Sequence, residues 1–86
     1  MKLLMYSICD KATSYIFPFP AYSDQAAIRN FATEINTNPM AKSNPQDFEL
    51  FCVGEFDMET GMIDAFVPNK HVTSGISVVR KDIVDE

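Results

Sequence analysis

The sequence is poor in the residue types that most catalytic, metal and disulfide sites require. It contains one histidine, two cysteines, three glycines and no tryptophan among 86 residues. The glycines, Gly54, Gly61 and Gly75, lie far apart, so no glycine-rich loop can cradle a phosphate. His71 has no serine or cysteine at a recognised catalytic spacing, and we expect it to be a solvated loop residue. The sequence therefore predicts a protein that is not an enzyme and holds no cofactor.

The chain is also short and lacks a long apolar run. Its 86 residues fit a single domain, which we place at residues 1–81, followed by a flexible acidic tail at 82–86. No segment reaches the ~18 consecutive apolar residues of a membrane-spanning helix. Residues 1–6 are basic and then apolar, but polar residues follow too soon for a secretory signal. We expect a cytoplasmic protein in which Cys9 and Cys52 are buried free thiols.

Basic residues are fewer than acidic ones, and the two kinds are separated along the chain. The net charge is −5, whereas domains that bind the nucleic-acid backbone are usually basic. Residues 47–64 carry six carboxylates and no base, and residues 65–81 carry three bases and no carboxylate. If folding collects the cations on one surface, an acidic protein of this kind can still bind a polyanion.

The apolar spacing predicts an α+β fold. Ile28, Phe31, Ala32 and Ile35 form one stripe of a helix at Ser23–Asn36. Strand patterns occupy residues 3–9, 14–19, 48–56 and 62–67, with a short fifth strand suggested at 76–79. The order β-β-α-β-β predicts an antiparallel sheet of four or five strands with one helix packed across one face. The second face is then open to water, a second copy of the chain or a ligand.

Prolines set several of the expected boundaries. Pro18 and Pro20 lack the backbone N–H that a sheet ladder needs, so their strand should lie at an edge. Pro39 should end the helix, and residues 40–46 should form a mobile connector or a single helical turn. Pro68 should close the fourth strand.

Aromatic residues cluster on the second predicted strand. Tyr15, Phe17 and Phe19 alternate along it and should share one face, with Tyr22 close behind. In small domains such rings more often pack in a core or a dimer interface. The alternative is that they stack on single-stranded bases, at ~1–3 kcal/mol per base.

The acidic hairpin at residues 57–61 faintly resembles a calcium-binding loop. Asp57 and Glu59 are two residues apart and Gly61 follows, but the later bidentate carboxylate is missing. A charged turn that keeps a sheet edge soluble is the simpler interpretation. We predict no metal site.

Several motifs together resemble one known family. They are residues 6–12 (YSICDKA), 27–31 (AIRNF) and 50–57 (LFCVGEFD), followed by Thr60-Gly61. They resemble the small non-structural protein of gokushovirus-type microviruses, tailless phages with small circular single-stranded DNA genomes. The resemblance covers about residues 1–68, and the hairpin from Gly54 to Gly61 is its most specific part. It implies a non-enzymatic phage protein of the host cytoplasm, labelled DNA-binding, with a role in viral genome synthesis or packaging.

The lead hypothesis from charge and resemblance is a homodimer that binds single-stranded DNA. Cations would contact phosphates while aromatic rings stack on bases. The candidate residues are Lys2, Lys11, Tyr15, Phe17, Phe19, Arg29, Lys70, Arg80 and Lys81.

The alternative is a protein-interaction module that recruits the viral replication initiator or capsid precursor. It would use the acidic hairpin and tail and would need no DNA contact. The candidate residues are Glu55, Asp57, Glu59, Asp82, Asp85 and Glu86.

Overall fold

A four-stranded antiparallel sheet forms one layer of the protein, which is described over residues 1–80 in a computed structural model. The strands are β1 (Lys2–Asp10), β2 (Tyr15–Ala21), β3 (Phe48–Asp57) and β4 (Ile63–Ser74). Their order in the sheet is β2-β1-β3-β4. The predicted acidic tail at 82–86 lies outside the described residues.

Helices form the second layer, and the predicted α+β class is confirmed. The main helix is α1 (Asp24–Thr37), followed by α2 (Pro39–Ser43), a 3-10 turn at Pro45–Asp47 and, after the sheet, α3 (Gly75–Val78). The Ser23 hydroxyl accepts the backbone N–H of Ala26 at 3.2 Å, which caps the first turn of α1. The connector predicted at 40–46 consists of α2 and the start of the 3-10 turn, joined at Asn44.

The core lies between α1 and the two central strands. Ala27, Phe31 and Ile35 of the helix are buried against Tyr6 and Ile8 of β1 and against Leu50 and Cys52 of β3. The buried stripe recurs at intervals of four residues, which is one face of an α-helix. Ile28, which the sequence also placed on this stripe, is half-buried at its margin.

Strand β2 lies at the sheet edge, as Pro18 and Pro20 predicted, but it is not regular. Phe17 has a φ of 51° and sits at a register shift, so that Tyr15 pairs with Cys9 while Phe19 pairs with Tyr6. The extra residue turns Tyr15 and Phe19 toward opposite faces of the sheet. The expectation that the rings of β2 share one face is therefore wrong.

Strand β4 is longer than predicted. Pro68 does not close it, because residues 66–69 bulge outward between the pairs Gly54–Ala65 and Cys52–Lys70. Pairing then resumes and runs to Ser74. On an edge strand a proline in such a bulge removes no ladder hydrogen bond.

The fifth strand suggested at 76–79 does not form. Gly75 approaches the backbone carbonyl of Pro45 so closely that a Cβ atom would clash there, and the chain turns into α3. The Asn36 amide then donates to the Val78 carbonyl at 3.1 Å, which fastens this segment to α1 instead of to the sheet.

The molecule is elongated because part of the sheet extends beyond α1. Its radius of gyration is 14.0 Å and its longest dimension 53 Å, whereas a compact chain of this length has a radius of about 12 Å. We call residues 54–65, the distal part of the β3–β4 hairpin, the arm. The N-terminal half of β1 pairs with it through Leu3 and Phe56.

Candidate nucleic-acid interface

Three rings from three strands meet on the face of the sheet that the helices leave open. Tyr15 of β2 contacts Phe51 of β3 edge to face, with ring centroids 5.7 Å apart. Phe51 contacts His71 of β4 in the same way, at 5.3 Å. We call these three side chains the aromatic row.

Small residues on β1 allow the row to form. Strand β1 lies between β2 and β3, and on this face it carries Ser7, opposite Phe51, and Cys9, opposite Tyr15. Short side chains at these positions let the two larger rings meet above them. Ser7 is buried although no helix covers it, and its hydroxyl donates to the Ile16 carbonyl at 2.8 Å.

A carboxylate joins the row to a nearby cation. Glu49 of β3 is hydrogen-bonded to Nε2 of His71 and forms an ion pair with Nζ of Lys11 at 3.3 Å. Lys11 lies in the β1–β2 turn, where its backbone N–H donates to the Asp47 carbonyl at 2.8 Å. One end of the row is therefore polar, and Lys11 brings a positive charge beside it.

Sequence reasoning missed most of this row. His71 was expected in a loop, but it lies in β4 with its ring against Phe51. Phe51 and Glu49 could have been found, because they alternate with the buried Leu50 and Cys52 and so must face away from the helix.

The three aromatic residues predicted to bind DNA have different surroundings. Tyr15 belongs to the row, with 49% of its surface exposed. Phe17 is half-exposed at the bulge. Phe19 stacks on Tyr6 at 5.8 Å and packs against the core on the helix side, so it lies on the opposite face of the sheet from the row.

The predicted cations do not form one surface. Lys2 and Lys11 lie at opposite ends of β1, and Lys2 forms an ion pair with Glu55 at 3.8 Å. Lys70 lies over the Phe66 ring at 4.5 Å, in a groove on the helix side. Cations that are close in the sequence are thus far apart in the fold. The reason is that each antiparallel strand carries the chain from one end of the sheet to the other.

The remaining predicted cations lie away from the row or beyond the described part. Arg29 is exposed on α1, and Arg80 is held near the end of α1 by a 2.7 Å bond from its N–H to the Asn36 side chain. Lys81 lies outside residues 1–80. Among the predicted cations of the described chain, Lys11 is the one that the structure places beside the row.

The groove on the helix side has a volume of about 340 Å³ and carries no activated nucleophile. Burial raises the pKa of the Cys52 thiol at its base, so the thiol stays protonated. Burial, together with the hydrogen bond to Asp24, also raises the pKa of the Tyr6 hydroxyl. Both groups are neutral at physiological pH.

Three of the six acidic residues proposed for partner binding, Glu55, Asp57 and Glu59, lie on the arm. Asp57 closes its turn, since its side-chain oxygen accepts the N–H groups of Glu59 at 2.9 Å and Thr60 at 3.3 Å. The first of these bonds is the main cause of a lowered pKa for Asp57. Glu55 pairs with Lys2. Asp82, Asp85 and Glu86 fall outside the described residues.

No group of three or more metal-ligating side chains is found within residues 1–80. Over the same range, no helix is long and apolar enough to cross a membrane.

Comparison with known proteins identifies the family. Residues 3–78 match the model of a family described as Phage ORF5 protein. The chain belongs to this phage protein family. No curated protein and no solved structure matches it. The family match confirms the phage character implied by the resemblance over residues 1–68, and it extends beyond Pro68 through the end of β4 to α3.

Proposed function

We propose that this phage ORF5 family member is a non-enzymatic accessory protein of gokushovirus-type microviruses that binds single-stranded DNA. It would act in the host cytoplasm, during synthesis or packaging of the viral genome. The aromatic row on the open sheet face is the observation that carries the proposal.

The row suits unpaired bases because it is partly exposed and spread over three strands. Bases of a single strand are free to stack on aromatic side chains, and each stack contributes ~1–3 kcal/mol without requiring a particular sequence. Tyr15 and His71 are both exposed, and Phe51 between them is half-buried and so fixed in position. Two adjacent bases would stack on the outer rings.

Electrostatics would contribute less to this binding than in most DNA-binding proteins. Lys11 can reach a phosphate beside the row, but Glu49 competes for it at 3.3 Å. The net charge of −5 adds a general repulsion. The proposal is therefore stacking-driven binding of modest affinity, with few phosphates neutralised.

Fluorescence anisotropy of a labelled oligo(dT), at low and at moderate salt, tests the proposal. Tyr15→Ala should weaken binding about 5- to 150-fold, the equivalent of ~1–3 kcal/mol for one lost stack. Tyr22→Ala is the matched control, because Tyr22 is exposed but has no part in the row. The proposal fails if the native protein does not bind at low salt, or if both variants lose affinity equally.

The predicted homodimer stays a prediction. A single chain does not test it, and the row is complete within one chain. Stacking on the row therefore requires no second copy.

A further inference from the structure

The end of the arm displays an apolar surface that the proposed DNA site does not use. Met1, Met58, Met62 and Ile63 are all exposed there, and Met1, Met62 and Ile63 each show 63% or more of their surface. We call these four residues the arm tip. Large apolar side chains grouped and exposed in this way are typical of protein-interaction sites.

Backbone hydrogen bonds hold the four residues of the arm tip together. The Met58 N–H donates to the Met1 carbonyl at 3.1 Å, and the Asp57 N–H donates to the Met62 carbonyl at 2.8 Å. Ile63 pairs with Phe56 in the adjoining ladder. The hairpin and the start of β1 thus bring these four residues close together in the backbone.

Carboxylates flank the arm tip, with Asp64 and Glu55 on the opposite face of the hairpin from Ile63. Asp57, Glu59 and Asp64 belong to the same hairpin, and Glu55 lies directly opposite Asp64 in the β3–β4 ladder. Like charges in directly opposed positions destabilise a sheet. Lys2 offsets Glu55 at 3.8 Å and the N-terminal amine approaches Glu59 at 3.9 Å, but no ion pair of Asp64 is found within residues 1–80.

We propose that the arm tip docks a basic amphipathic segment of a partner protein. The apolar side of that segment would pack on the three methionines and Ile63, while its long lysine or arginine side chains would reach around the edge strand β4 to Asp64 and the neighbouring carboxylates. Methionine suits such a surface because its unbranched, polarizable side chain adapts to different partners.

Charge disfavours the other occupants of this surface. Two copies joined arm to arm would bring two sets of carboxylates together, and a nucleic acid would bring phosphates to them. The surface is also separate from the aromatic row. It lies at the Met1 end of β1 and Lys11 at the other, about 30 Å away at ~3.3 Å per residue.

The probe for this proposal is a fluorescein-labelled synthetic peptide of leucine and lysine, 18 residues long, arranged with the period of an amphipathic helix. Two control peptides have the same composition in non-amphipathic order, or glutamate in place of lysine. Anisotropy of each peptide is measured against the full chain at moderate salt. The amphipathic basic peptide should bind, and both controls should bind at least about tenfold more weakly.

Matched substitutions locate the binding. Ile63→Gln and Asp64→Lys should each weaken peptide binding about tenfold or more. Ile76→Gln should leave it unchanged, since Ile76 is as exposed as Ile63 but lies on α3. Circular dichroism verifies that each variant is folded, and Met62→Gln replaces any variant that is not. Binding of oligo(dT) by Ile63→Gln should stay at the native level, because the row is elsewhere.

Three results would overturn the proposal. The peptide fails to bind, the glutamate peptide binds as well as the lysine peptide, or Ile63→Gln and Ile76→Gln have equal effects. Sedimentation of the native chain provides a further check. A dimer that Ile63→Gln dissociates would make the occupant a second copy and would also reject the proposal.

Discussion

Glu55 and Asp64 lie directly opposite each other in the β3–β4 ladder, so two carboxylates share one cross-strand position. Replacing Asp64 with lysine converts a repulsive pair into an attractive one. Asp64→Lys should therefore stabilise the protein by about 0.5–1 kcal/mol, measured as the free energy of unfolding in urea. Glu59→Lys is the control for net charge at the hairpin turn, although it also loses the exposed pair of Glu59 with the N-terminal amine at 3.9 Å. If both variants gain equally, the effect belongs to net charge and not to the pair.

Gly54 is required by the close approach of the two strands of the arm. A Cβ atom at this position would clash with the backbone carbonyl of Asp64. Gly54→Ala should cost about 2–3 kcal/mol of stability, because backbone on both strands must move. Gly61→Ala meets no atom within 4 Å but must adopt a φ of +77°, and should cost about 1 kcal/mol. Urea denaturation compares the two. An equal or smaller loss for Gly54→Ala would contradict the close approach.

The buried hydroxyl of Tyr6 should make stability depend on alkaline pH. Burial and the bond to Asp24 raise its pKa in the folded protein above the ordinary value of 10.0. Above pH ~10 the unfolded chain loses the tyrosine proton while the folded one keeps it, so stability must fall as pH rises further.

The variant Tyr6→Phe isolates that dependence. It should cost about 1–2 kcal/mol at neutral pH through the lost hydrogen bond. The stability difference from the native protein should be constant below pH ~10 and should shrink above it. Urea midpoints from pH 7 to 11 measure this, with Tyr22→Phe as an exposed control. A difference that grows above pH ~10 would contradict the assigned direction.

The two thiols should differ in reactivity. Cys9 is half-buried on the open sheet face, whereas Cys52 is buried and its pKa is raised by that burial. Iodoacetamide should therefore alkylate Cys9 at least about tenfold faster than Cys52 in the native protein, and both equally in urea. Mass spectrometry of the modified peptides gives the rates.

Because Cys9 pairs with Tyr15 beneath the row, saturating oligo(dT) should also slow its alkylation. If oligo(dT) leaves the alkylation rate of Cys9 unchanged, the DNA binds elsewhere.

Binding of single-stranded DNA should depend only weakly on salt. Lys11 is the cation beside the row, and each neutralised phosphate contributes about −0.7 to the slope of log affinity against log salt. A slope of about −0.7 is expected, and Lys11→Gln should bring it close to zero. Arg29→Gln is the control on the helix side. A much steeper slope for the native protein would show that cations other than Lys11 also contact the DNA.

Local patterns in the sequence predicted the elements that depend on local physics. The spacing of Phe31 and Ile35 located the buried face of α1, and Pro18 and Pro20 placed β2 at the edge. These predictions succeed because helix periodicity and the missing proline N–H act within a few residues.

The site could not be predicted in the same way, because it depends on two irregularities. The bulge at Phe17 changes which rings of β2 share a face, and the bulge at 66–69 carries β4 past Pro68 to place His71 beside Phe51. Alternation rules assume an unbroken strand, so one extra residue inverts every side chain beyond it. The scatter of cations is equally non-local, since it follows from which strands become neighbours.

The bulge at Phe17 therefore determines that the rings on either side of it face opposite sides of the sheet. With this residue present, Phe19 completes the hydrophobic interior over Tyr6 while Tyr15 faces outward. If Phe17 were deleted, only one of these two rings could keep its present face of the sheet. The deletion would either leave a void above Tyr6 or dismantle the outward-facing surface, so deletions here would be tolerated far less well than in the nearby turn.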